Sequence, residues 1–248
     1  GIIQIAEALK VNSTLQSIDL NNNSIGAYID YEKEEMVPTP EGPAAIAEML
    51  KVNKTITSIS LSGNALCGLF FMNGKVWGTY TAEGIIQLAE TLKVNKTLTS
   101  ISLLKTHLDV EGANSIVEVA KDKPQLITLC GLKPDQTSAD FSEQGLGAGD
   151  AILLAFDLKK NSFLVELNLL KNNLGREGVN SVVEVAKDKP HLITLCGLKP
   201  DQTSADFSKQ RLEVGDAILL ALDLKKNLVL VNLNVSSNDF EAEGAKVF

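Results

Sequence analysis

The segments 5–26, IAEALKVNSTLQSIDLNNNSIG, 46–66, IAEMLKVNKTITSISLSGNAL, and 88–108, LAETLKVNKTLTSISLLKTHL, agree almost position by position. An internal repeat of this kind constrains the fold more than any composition does. A short unit cannot bury its own apolar face, so the core must come from stacking neighbours in a quasi-one-dimensional array. Within a unit the first half has apolar residues at helical spacing, as at Ile2, Ile5, Ala6 and Leu9, while the second half alternates, as at Leu15, Ile18 and Leu20. Each unit therefore reads as one helix and one short strand.

Taking one inward strand position per unit gives Ile18, Ile59, Ile101, Leu129, Ala139, Leu167, Leu195, Ala205 and Leu233, with spacings of 41, 42, 28, 10, 28, 28, 10 and 28. The 41 and 42 are a normal unit carrying inserts at 27–40 and 67–81, between strand and helix. The two 10s fall inside LITLCGLKPDQTSADF, which begins at Leu126 and again at Leu192. There KPDQT is either a shortened return between two strands or, since parallel neighbours need a crossover of about a dozen residues, LITLC is irregular. A tandem 66-residue duplication, 112–177 and 178–248, covers the second half of the chain. Residues 115–161 and 181–227 differ at seven of 47 positions, including Glu143/Lys209 and Gly145/Arg211.

The strand halves fit LxxLxLxxNxL, first met as Leu15, Ile18, Leu20, Asn23 and Ile25. On those residues the chain resembles the leucine-rich repeat family. The recurring 28 with a full helix is similar to the ribonuclease-inhibitor-like class, and the KVNKTLTSI wording is similar to arrays in proteins of unicellular eukaryotes. The resemblance implies an α/β solenoid over residues 1–248, a curved horseshoe with parallel strands on the concave face, helices on the convex face and both inserts on one rim. It also implies a ladder of polar side chains at Asn23, Asn64, Thr106, Gln144, Asn172, Gln210 and Asn238, hydrogen-bonding backbone where the chain leaves the sheet. The array reads as part of a longer chain, with the helical segment EAEGAKVF at its end.

Chemistry-bearing patterns are poor. His107 and His191 stand apart from any nucleophile or ligand cluster. GLFFMNGKV has the wrong spacing for a phosphate loop, with Val76 where Ser or Thr should bind magnesium. GLGAGD at 145–150 loses two glycines in its sister copy RLEVGD, and no EF-hand spacing surrounds the aspartates. No catalytic residue, metal or cofactor is expected. Cys67, Cys130 and Cys196 lack CxxC spacing and read as free thiols, the latter two facing solvent on the sheet. Together they favour an intracellular setting. Of the N-x-S/T matches, Asn12, Asn53 and Asn95 share one place in the repeat, so helix-end chemistry explains them as well as glycosylation does. A formal charge of −8 disfavours nucleic acid, and no apolar run approaches the ~20 residues of a membrane span.

What remains points to protein binding. The two inserts hold Tyr28, Tyr31, Phe70, Phe71, Trp77 and Tyr80, half of the twelve aromatics, with Met36 and Met72. Asn-Gly between FFM and KVW predicts a two-residue hairpin. The sheet face offers Asp19, Asp140 and Asp206 to a basic partner. The expected contact set is thus Tyr28, Tyr31, Phe70, Phe71, Met72, Trp77, Tyr80, Asp19, Asp140 and Asp206. The expected function is a non-enzymatic protein-interaction scaffold, a peripheral subunit of a larger assembly. The alternatives are a GTPase-activator-like regulator using Arg176 and Arg211, or the sensing array of an immune-type receptor.

Overall fold

The structure, a computed structural model, describes residues 1–30, 32–33, 35–72 and 75–240, with only the backbone of Phe71, Met72 and Lys75. Expectations for Tyr31, for the side chains of Phe71 and Met72, for the Asn73-Gly74 turn and for 241–248 lie outside the described residues. The chain divides into two compact units, Gly1–Leu132 and Lys133–Phe248.

The first unit runs α1 (Ile2–Val11), β1 (Ser17–Asp19), β2 (Ala27–Asp30), β3 (Glu35–Pro38), α2 (Glu41–Val52), β4 (Ser58–Ser60), β5 (Leu69–Met72), β6 (Lys75–Gly78), α3 (Glu83–Val94), β7 (Ser100–Ser102) and α4 (Val110–Lys121). β1, β4 and β7 form a parallel sheet in which Ile18, Ile59 and Ile101 stand side by side. Ile59 and Ile101 are buried, as are Ile46, Leu50, Ile85, Leu88 and Leu92 on the helices. Period two on the strands and period 3.6 on the helices thus meet in one apolar layer.

Both inserts are antiparallel hairpins standing between strand and helix. In the first, Ala27 pairs with Pro38 and Asp30 with Glu35; in the second, Leu69 pairs with Gly78 and Met72 with Lys75. Each is closed at its base by backbone, Thr39 N–H donating to the Gly26 carbonyl at 2.8 Å and Thr81 N–H to that of Cys67 at 2.9 Å. Gly26 has φ +107°, and a Cβ there would collide with the Ala65 carbonyl of the next repeat, so glycine is required where the first hairpin departs.

The second unit runs β8 (Ser138–Asp140), α5 (Ala148–Lys160), β9 (Glu166–Asn168), α6 (Gly175–Lys187), β10 (Ser204–Asp206), α7 (Val214–Lys226) and β11 (Asn232–Asn234). Its strands pair only as β8-β9 and β10-β11. The second LITLC segment adds isolated bridges, Glu166 to Thr194 in the parallel sense and Asn168 to Cys196 in the antiparallel sense; the first does the same with Ser100 to Thr128 and Ser102 to Cys130. Of the two readings of this motif, the irregular one is correct, and Leu129 and Leu195 mark bridges rather than strands. KPDQT provides only a tight turn, Gln202 N–H donating to the Lys199 carbonyl at 3.2 Å. Without a crossover the chain cannot return to the start of a parallel register, and it turns away at Gly131 (φ +81°) and Gly197 (φ +76°). The reversal turns the cysteines inward. Expected on the solvent face, Cys130 and Cys196 are 5% and 2% exposed.

Candidate interaction surface

The hairpins pack against each other. Ala27 and Met36 of the first, with Ala65 of the array, form a small buried cluster on which Ile29, Phe70 and Trp77 rest. Strand alternation explains the division. Ile29 pairs with Met36, and Phe70 with Trp77, so these four lie on the inner faces, while Tyr28, paired with Val37, and Val76, paired with Phe71, belong to the outer faces. Tyr28 is 51% exposed and Val76 57%. Two sequence candidates, Phe70 and Trp77, therefore serve the joint between hairpins, and Tyr28 and Val76 are presented outward. The first hairpin also carries Asp30 and Glu35, both within ion-pair reach of Lys33.

Tyr80 sits where the second hairpin returns to the array. Burial and the carboxylate of Asp109 push its phenol well above the ordinary tyrosine value. Asp109 in turn caps α4, accepting the Gly112 N–H at 2.7 Å. Tyr80 is thus tied to helix entry as well as to the hairpin.

On the strands, Asp19, Asp140 and Asp206 are exposed, and each closes the turn that follows it. Asp19 accepts Asn21 N–H at 2.9 Å, Asp140 accepts Ser142 N–H at 2.9 Å and its hydroxyl at 2.7 Å, and Asp206 accepts Ser208 N–H at 2.8 Å. The bonds from Ser208 hold Asp206 below the usual carboxylate range. Local turn chemistry accounts for an acid at this position without a partner.

The polar rungs divide by residue type. Asn64 accepts Asn23 and Ile25 N–H at 2.9 and 3.0 Å and donates to the Leu20 carbonyl at 2.8 Å, all in the preceding repeat. Asn172 does the same to Gln144, Leu146 and Phe141, and Asn238 to Gln210, Leu212 and Phe207. Gln144 and Gln210, whose strands open new sheets, donate instead to Asp140 and Asp206 carbonyls of their own repeat. Asn23 bonds Asn21 in its own repeat, and Thr106 bonds the Leu103 carbonyl.

A second asparagine series stands at the helix ends. Asn53 and Asn95, at helix ends, are buried; their amides donate to the carbonyls of Leu9 and Leu50 one repeat back at 2.7 Å, while their oxygens accept the N–H groups of Thr55 and Ile56 and of Thr97 and Leu98 in the turns that lead to the next strands. The repeated VNKT was the available signal. Of the two explanations of that pattern, helix-end chemistry is the one these two side chains show.

Among the described residues no group of three His, Cys, Asp or Glu is placed to hold a metal ion, and no described helix is long and apolar enough to cross a membrane. Arg176 lines a cleft of about 670 Å³ between the starts of α6 and α7, where Glu213 and Asp239 also stand. Carboxylates beside the guanidinium oppose a phosphate there.

Comparison with known proteins finds the repeat itself. The family model described as Leucine Rich repeat matches residues 11–27 and 226–248. Among solved structures, leiomodin-1 actin-binding site 2 is 16% identical, with a TM-score of 0.36 over 78% of this chain and 76% of that one. The tropomodulin C-terminal domain of Caenorhabditis elegans is 14% identical, with a TM-score of 0.42 over 76% and 93%. No curated protein sequence matches the chain.

Proposed function

Since this chain is a leucine-rich repeat protein, we propose that it is a non-enzymatic scaffold that binds another protein through the outward face of its paired rim hairpins. The observation that carries this reading is the hairpins' independence of the sheet. Each is closed at its base by backbone bonds, the β1-β4-β7 register continues unbroken, and their inner faces pack on each other and on Ala65 of the array. Tyr28 and Val76 are then left outward with no duty to the array, and aromatic and apolar side chains dominate the energetics of protein interfaces. On this reading the partner is a protein and the chain is a peripheral subunit of a larger assembly.

The test is affinity capture from a native extract with the intact chain, a Tyr28→Asp, Val76→Asp pair and a Phe163→Asp control, whose side chain is exposed in the other unit. A stoichiometric partner lost only with the hairpin pair supports the reading. A partner retained by that pair but lost with Phe163→Asp moves the site off the hairpins.

A further inference from the structure

The asparagine that ends α5 and α7 builds the turn into the next strand, as it does in the first unit. Asn161 Oδ1 accepts Phe163 and Leu164 N–H at 2.8 and 2.7 Å, and Asn227 Oδ1 accepts Val229 and Leu230 N–H at 3.0 and 2.8 Å. The residues one, two and four places after the asparagine are polar throughout the first unit, as at Lys54, Thr55 and Thr57. There the Thr57 and Thr99 hydroxyls donate to the Gln16 and Thr57 carbonyls of the preceding repeat at 3.2 and 3.1 Å. In the second unit the same places hold Phe163 and Val165 after α5, and Leu228, Val229 and Val231 after α7. Leu228 is 93% exposed, Val231 78% and Phe163 59%. The fold does not call for them, since the asparagine makes the turn and valine gives up the bond that threonine makes.

The place before the asparagine changes in the opposite sense. Val11, Val52 and Val94 in the first unit become Lys160 and Lys226 in the second, beside the lysine that both units carry one place earlier. Both turns lie on one edge, with the turn after α6 between them. Lys189 Nζ donates to the Asn161 carbonyl at 2.7 Å, Ile193 N–H to that of Val165 at 2.8 Å and Lys226 Nζ to that of Leu192 at 2.9 Å. Apart from the buried Asp157 and Asp223, the charges of these helix ends and turns are Lys159, Lys160, Lys187, Lys189, Lys225 and Lys226 against Asp188 and Glu184, the latter ion-paired with Lys187. Apolar tips thus stand ahead of a local surplus of cations, on a chain whose total charge is −8.

The geometry points to a peripheral docking surface for an anionic lipid bilayer, with Phe163, Leu228 and Val231 entering the headgroup boundary and the lysines facing acidic headgroups around them. Side chains at turn tips suit a fluid surface that closes around them, and the lysines supply the charge complement. The acidic remainder of the chain does not oppose this, because charges farther away than about 8 Å are screened at physiological salt. This surface belongs to the second unit and stands whether or not the hairpins bind a protein.

The test is co-sedimentation of the full chain with vesicles of phosphatidylcholine, alone or with a third phosphatidylserine. The wild type should pellet with the mixed vesicles and stay in solution with phosphatidylcholine alone. Phe163→Thr, Leu228→Ser and Val231→Thr together install residue types that the first unit carries in the same turn, so the circular dichroism spectrum should be unchanged while binding falls at least about tenfold. Lys159→Gln with Lys225→Gln should weaken binding by about tenfold. Tyr28→Asp with Val76→Asp should bind vesicles as the wild type does, which separates this surface from the hairpins. A wild type that stays in solution with both vesicles, or a triple variant that pellets as well as the wild type, would overturn the proposal and leave the patch to a protein partner.

Discussion

The two units solve opposite problems with the same repeat. In the first, spacings of 41 and 42 lengthen the repeat, and the surplus leaves as hairpins on the rim while Ile18, Ile59 and Ile101 stay in register. In the second, the spacing of 10 removes a helix and its crossover, and the ladder stops between β9 and β10. Lengthening a loop costs little, because closure entropy grows only logarithmically with length. Shortening a crossover violates geometry, since a parallel strand must be re-entered from the same end. Surplus residues can therefore be used for recognition, whereas missing ones must be offset by dedicated side chains, here Asp223, which accepts the Leu195 and Cys196 N–H groups and the Thr194 hydroxyl, and Lys226, which donates to the Ala186 and Leu192 carbonyls.

The contrast can be broken most severely at Asp223. Asp223→Ala leaves the Leu195 amide and the Thr194 hydroxyl proton without an acceptor in a buried place and takes from the Cys196 amide one of its two acceptors, and should lower stability by about 3 kcal/mol or more. Chemical denaturation followed by far-UV circular dichroism measures it, and no loss would show residues 192–198 to be held by their backbone bonds to β9 alone. Next in size are the rungs. Asn172→Leu and Asn64→Leu should each cost about 1–3 kcal/mol, while Gln144→Leu, whose amide reaches only its own repeat, should stay within about 0.5. Equal costs at Asn172 and Gln144 would erase the distinction between rungs that join repeats and rungs that open a sheet.

A smaller effect is expected at the base of the second hairpin. The phenol of Tyr80 is raised in the fold, so its contribution is complete below the unfolded value of about 10 and is lost as pH climbs above it. The urea midpoint of the wild type should fall between pH 9 and pH 11 by more than that of Tyr80→Phe. An identical fall in both would remove the link between this hairpin and Asp109. Smallest of all is the outer face. Tyr28→Ser with Val76→Ser should change stability by less than about 0.5 kcal/mol, because both side chains are more than half exposed. A larger loss would mean that this face supports the array.

Much of this was legible from residue order. Periodicity placed the helices and the strands at Ile18, Ile59, Ile101, Ala139, Leu167, Ala205 and Leu233, and Asn-Gly marked the second hairpin. The first hairpin carries no such dipeptide and is defined instead by packing against its neighbour, a contact between residues some forty apart in the chain that no local signal encodes. LITLC looked like a strand because it has strand composition; what it lacks is the crossover on which a parallel ladder depends. The same failure hid the direction of Cys130 and Cys196, since facing follows from register and the register ends there. Asn against Gln at the rungs was visible as spelling, but its meaning required knowing which strands have a predecessor. For the candidate surface, the sequence gathered Tyr28, Phe70, Trp77 and Tyr80 in one place; dividing them between the joint and the outside needed the pairing of the two hairpins.

The most direct test of the scaffold reading is partner binding by a chain from which both hairpins are excised, with short glycine links joining Gly26 to Thr39 and Gly68 to Thr81, whose backbones already meet at the hairpin bases. Amide hydrogen exchange on the same sample should find β1, β4 and β7 still protected while the partner captured by the intact chain no longer binds. Binding that survives excision, with those strands still protected, would contradict the account and place recognition on the array itself.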